Sequence, residues 1–187
     1  MTDVFDPISN GFGRKPEGYP LGWPVADKVT VEPIRKQLAN HVHVAHHSYV
    51  NEPRHNSVVN HGVFLDGDLV GAISYGYLLA SHPIHGYESD EYMEVARVTI
   101  GVDMANLASC AMANSQDQFA ESYAAGNNIG LLVTYVHEDY DGTMFAALKS
   151  KGWTFDGWSE GHQAGNRKDR EIRDVDKARW VCELSDP

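Results

Sequence analysis

Residues 129–136, Ile-Gly-Leu-Leu-Val-Thr-Tyr-Val, form a nearly unbroken apolar run. A strand of that composition has no face suited to water, so it belongs inside a sheet covered on both sides. The flanking sequence supplies the covers. Upstream, Leu107, Ala111, Ser115, Phe119 and Tyr123 recur every four residues and make one core-facing helical stripe. Asp103 or Asn106 is placed to cap that helix by accepting from its free N–H groups, and Gly126-Asn127 reads as a left-handed stop. Downstream, residues 143–150 read as a short helix with Lys149 and Lys151 near its negative end and Gly152 as its stop.

The rest of the chain extends this sheet. Residues 29–34 read as a first strand and 34–49 as a histidine-rich helix broken by Pro53 and Asn56. Asp66-Gly67 between apolar runs at 61–65 and 69–76 is a hairpin signal, because glycine accepts positive φ without steric cost. A polar loop at 81–90 precedes a strand at 92–102, and 153–158 and 178–184 supply the last strands. The expectation is an α/β fold: a mixed, mostly antiparallel central sheet flanked by helices. Residues 1–28 are expected to form an extended arm, rich in Gly and Pro, ahead of a single domain at 29–187.

Composition narrows the class. The chain has 187 residues, 42% of them hydrophobic, which is enough for a proper core. No apolar run approaches the roughly 20 residues needed to span a bilayer, and the first residues lack a signal-peptide pattern. Cys110 and Cys182 are too few for a disulfide framework. A cytoplasmic protein with reduced cysteines is expected. The net charge of −11 works against polyanion binding unless cations are gathered locally. Residues 167–179 gather six of the fifteen Lys and Arg, among them Arg170 and Arg173, interleaved with four acids. Such a segment could grip phosphate or be a salt-bridged surface loop.

Chemistry-bearing residues fall in four groups. His43 and His47 share a helical face at i, i+4, a spacing by which two imidazoles can hold one metal; with a carboxylate such as Asp139 the set would suit iron or zinc. Packed, hydrogen-bonded histidines are the alternative. His137, Glu138 and Asp139 end the central strand, where α/β sheets tend to bind ligands, and could act as general base. Asp141, and equally Asp139, could instead cap the next helix. Glu94 and Arg97, three apart on one strand, should point to opposite faces. Arg97, Asn106 and Ser109 could hold an anion at a helix start. Tyr75, Tyr77, Tyr87, Tyr92 and Tyr135 offer aromatic faces for an extruded base, although tyrosines at strand spacing mostly pack sheets.

The element order resembles the GNAT acyltransferase fold. Within it, His46-His47-Ser48, the 62–71 hairpin, Glu94-x-x-Arg97, Asn106-x-x-Ser109, Thr134-Tyr135, Gly142-Thr143 and Gly152-Trp153 resemble the phage Mom-type DNA-modification enzymes. The resemblance covers about 42–158. It implies transfer of a small acyl or carbamoylmethyl group to adenine N6 in phage or viral DNA. On that reading His47, Tyr49, His137 and Asp139 would serve catalysis, and Arg97, Asn106 and Ser109 would hold an anionic donor. Tyr75, Glu94, Tyr135, Thr143, Arg170 and Arg173 would contact the substrate. An acyl-CoA is one candidate donor, although the loop before the long helix lacks the glycines usual around a CoA pyrophosphate; a divalent metal at His43, His47 and Asp139 is another candidate cofactor. The partners expected are DNA, despite the acidity, and a small-molecule donor, with no membrane and a homodimer left open. Two other functions fit the same sequence: an acetyl-CoA-dependent N-acetyltransferase of a small-molecule or protein amine, and a non-enzymatic binding protein on a GNAT scaffold.

Overall fold

The computed structural model describes residues 25–47, 52–78, 82–137, 140, 144–159 and 176–184. A short 3-10 turn, Val25–Asp27, leads into β1 (Val29–Pro33), then α1 (Lys36–His46), β2 (Ser57–Leu65), β3 (Asp68–Gly76) and β4 (Tyr92–Ile100). The long helix α2 (Leu107–Phe119) continues through a π turn (Ala120–Ala124) into a last turn, α3 (Ala125–Asn127). After it come β5 (Leu131–His137), α4 (Met144–Ser150), β6 (Thr154–Ser159) and β7 (Lys177–Glu183). The strands form one seven-stranded sheet in the order β1-β2-β3-β4-β5-β7-β6. Every neighbouring pair is antiparallel except β4 with β5.

The apolar run at 129–136 takes the predicted place. In β5, Leu132 and Val136 join the main core beneath α2 and α4, while Leu131 and Val133 enter a second core on the other face with Ile84, Tyr92 and Val181. The loop expected to be merely polar therefore contributes a buried residue, Ile84, held by a bridge to Tyr87. Helix α1 covers the β2–β4 part of that same face through Ala39 and Val42 packed on Leu69 and Ala72. The hairpin turn has Asp66 at φ 51° and Gly67 at φ 90°, the backbone form the Asp-Gly pair favours. Leu107, Ala111, Ser115 and Phe119 are all fully buried.

Two helix ends differ from expectation. Asn106 does precede α2, but at φ 66° in the left-handed region and with no side-chain capping bond. The α2–α3 helix closes on left-handed Asn128, not on Gly126-Asn127. The last turns reach further because the π turn inserts a residue into the helical repeat.

A splayed sheet and the cavity it opens

Strands β4 and β5 pair only at Tyr92–Leu131, Met93–Leu132 and Glu94–Val133. Beyond that point they diverge, and Thr134 Oγ1 donates to the Val95 carbonyl at 2.9 Å. The cause lies in β4. Its register with β3 runs Gly76–Glu94, Tyr75–Val95 and then Ser74–Arg97, so Ala96 is an extra residue, a β-bulge. The bulge bends β4 away from β5 and shifts the alternation of side chains by one.

That shift corrects the expectation that Glu94 and Arg97 face opposite ways. Their partners Gly76 and Ser74 lie two apart on β3, so Glu94 and Arg97 share the α1 face. Arg54 Nη2 donates to Glu94 Oε2, forming a largely buried ion pair. Arg54 is itself set by Asn40, which accepts from its N–H at 2.9 Å and donates to its carbonyl at 3.2 Å. Arg97 Nη1 donates to the Glu52 carbonyl at 2.6 Å.

A cavity of about 470 Å³ fills the gap between the splayed strands. Its walls include Arg97 and Thr99 of β4, Thr134 and Tyr135 of β5, Asn106 and Ser109 at the start of α2, and His46 and His47 at the end of α1. The Leu107 N–H turns back to the Met104 carbonyl at 3.2 Å and the first bond within α2 runs from the Cys110 N–H to the Asn106 carbonyl, so Ala108 and Ser109, which line the cavity, present the positive dipole end of the helix there.

His47 leaves the helix at ψ 136°, out of line with His43. Burial lowers its pKa to about 4, and the charge of Arg97 and the neighbouring His137 push the same way. The cavity wall therefore holds a neutral imidazole beside a guanidinium. Burial pushes the Tyr135 phenol up, opposed by a hydrogen bond from Arg179. Arg179 also donates to Asp156, which accepts from His85 as well. Burial alone would raise Asp156, but those two donors hold it below the usual carboxylate range.

Of the residues singled out from sequence, His47, Arg97, Asn106, Ser109 and Tyr135 line this cavity. His137 ends β5 and acts electrostatically on His47. Two others are placed elsewhere. Tyr75 is fully buried, stacked on Phe119 and hydrogen-bonded to Ser115 at 2.7 Å, so it is a core residue and not a substrate contact. His43 is equally buried, with Nδ1 2.7 Å from Thr99 Oγ1 and Nε2 2.8 Å from Ser74 Oγ, which leaves no ring nitrogen for a metal. Glu94 lies on the α1 face of β4 but outside the cavity walls, engaged by Arg54. Tyr49, Asp139, Thr143, Arg170 and Arg173 lie outside the described residues. Among the described residues no three His, Cys, Asp or Glu converge as a metal site. Thr99 and Arg54 carried no signal of their own in the sequence; each acquires its place through a partner distant along the chain.

A profile of the Mom protein family matches residues 28–178. The chain belongs to the Mom protein family. No curated protein is significantly similar to it in sequence. Among solved structures, the ribosomal-protein-S18-alanine N-acetyltransferase of Escherichia coli superposes with a TM-score of 0.56 at 10% identity, over 84% of this chain and 94% of that one. An acetyltransferase of Bacillus subtilis in complex with CoA gives 0.57 at 8% identity, over 84% and 99%. An IAA acetyltransferase of Bacillus cereus gives 0.53 at 12%, over 83% and 99%. These likenesses show a shared fold: this member of the Mom family has the GNAT architecture. No helix among its described residues is long and apolar enough to cross a membrane.

Proposed function

We propose that the protein is a Mom-type transferase that adds a small acyl or carbamoylmethyl group to adenine N6 in phage or viral DNA. The observation that carries this reading is the cavity between β4 and β5 with neutral His47 in its wall, in a chain of this family. In such a transfer the amine nitrogen forms a bond to the donor carbon, and the donor's leaving group departs with the old bonding pair. The proton shed by nitrogen needs an acceptor. His47, unprotonated above about pH 4, can take it. Tyr49, His137 and Asp139 are the further candidates for this step. Arg97, Asn106 and Ser109 would hold an anionic donor against the positive end of α2. Tyr135, Glu94, Thr143, Arg170 and Arg173 remain candidates for the DNA side. His43 is unavailable as a ligand, so no step runs through a metal at His43, His47 and Asp139.

The test is mass spectrometry of nucleosides digested from DNA of cells expressing the protein, with Asp139→Ala and His47→Ala as controls. A nucleoside heavier than deoxyadenosine, absent from both controls, is expected; an unchanged profile from soluble protein in a donor-competent host would sink the reading.

A second reading, an acetyl-CoA-dependent N-acetyltransferase, is favoured by one feature. Past Glu94 the edge of β4 facing β5 is free of strand pairing, leaving backbone groups for a linear amide-bearing arm such as that of CoA. Millimolar acetyl-CoA should then raise the melting temperature by mass action.

A further inference from the structure

A chain of hydrogen bonds fixes the hydrogens on His43. Ser74 Oγ donates to Asn60 Oδ1 at 2.8 Å, which uses its one hydrogen. At 2.8 Å from His43 Nε2 it can then only accept, so Nε2 carries the N–H. His43 is neutral at working pH: burial lowers it to about 3, and the charges of Arg97, His47 and Arg54 oppose protonation further. A neutral imidazole has one N–H, so Nδ1 is a lone pair, and Thr99 Oγ1 at 2.7 Å donates to it. Thr99 stands in the cavity wall between Arg97 and the start of α2.

We propose that Thr99 is a specificity-determining residue of the cavity: with its hydrogen held by His43, its hydroxyl offers a ligand an acceptor only and selects an amide or amine N–H. The surroundings complement that role. Arg97 and the backbone N–H groups of Ala108 and Ser109 at the start of α2 are donors, suited to the oxygens of a ligand, and Thr99 supplies a lone pair among them. The opposite tautomer would release the Thr99 hydrogen from His43, leaving the hydroxyl able to donate to a carbonyl or carboxylate instead. His43 touches no ligand itself; it is a positioning residue that acts through Thr99. Use of this contact in transfer rests on the transferase reading, whereas the polarity of the hydroxyl does not.

The first readout is the tautomer, from long-range proton–nitrogen NMR spectra of histidine-labelled protein at neutral pH, with His43 assigned by its loss in His43→Gln. A protonated Nε2 and bare Nδ1 are expected; the reverse pattern overturns the proposal. The second readout is modified-nucleoside yield per folded protein. Thr99→Ser should keep the yield within about twofold, and isosteric Thr99→Val should lower it about tenfold, the worth of one hydrogen bond in a dry site. Wild-type yield from Thr99→Val overturns the contact. If wild-type protein itself makes no modified nucleoside, the transferase reading falls and the tautomer alone decides the polarity of Thr99.

Discussion

The buried histidines show how far side-chain type alone misleads. His43 and His61 are almost fully buried, each hydrogen-bonded to a hydroxyl, and burial lowers them to about 3 and about 4 from an ordinary 6.5. In the folded state they bind fewer protons than the unfolded chain between those values. Their contribution to stability is therefore full above pH 6.5 and is lost as pH falls toward 4. Each group adds a slope of up to about 1.4 kcal/mol per pH unit in that window. Urea midpoints at a series of pH values should fall accordingly, and a flat profile would contradict the burial of these rings. Tyr75→Phe is a second case. It strips a partner from Ser115, which also bonds His61 at 2.8 Å, and should cost about 1–3 kcal/mol in chemical denaturation. Because Tyr75 lies in the core, nucleoside yield per folded molecule should not change. Neither placement was visible at the residue: an i, i+4 histidine pair is equally consistent with a metal site and with packing, and only the positions of Ser74, Thr99 and Ser115 decide.

At the scale of elements, much was legible. The continuous apolar run gave the central strand, the Asp-Gly turn gave the β2–β3 hairpin, and the four-residue stripe gave the buried face of α2. What stayed hidden was set by pairing between elements. The bulge at Ala96 exists only relative to the register of β3, and it alone puts Arg97 on the same face as Glu94. Deleting Ala96 should straighten β4, carry residues on one side of the deletion to the other face, and abolish modification. Unchanged activity in that deletion would show that the splay is unnecessary. Close approach matters at Gly71 too: a Cβ there would lie 2.4 Å from the backbone oxygen of Thr99. Gly71→Ala should destabilise by about 1–3 kcal/mol or more through forced separation of β3 and β4, read from the unfolding midpoint.

For the whole molecule, the open question is how a chain of net charge −11 would meet DNA. The cations at 167–179 answer it in sequence terms only, since 160–175 lie outside the described residues. If they contact phosphates, Arg170→Glu with Arg173→Glu should weaken DNA binding and flatten its dependence on salt, each lost contact removing about one unit from the slope. Unchanged binding would make the segment a surface loop. Central to the account is that transfer takes place in the cavity between β4 and β5. The most direct test fills that cavity from the wall: Ala108→Phe, at a position lining it near the start of α2. Nucleosides from DNA of cells expressing this variant would be compared by mass spectrometry with those from wild-type and Tyr75→Phe proteins at matched folded levels. The account predicts a new adenine-derived nucleoside with wild type and Tyr75→Phe and none with Ala108→Phe. A folded Ala108→Phe protein that still yields the wild-type amount would contradict it.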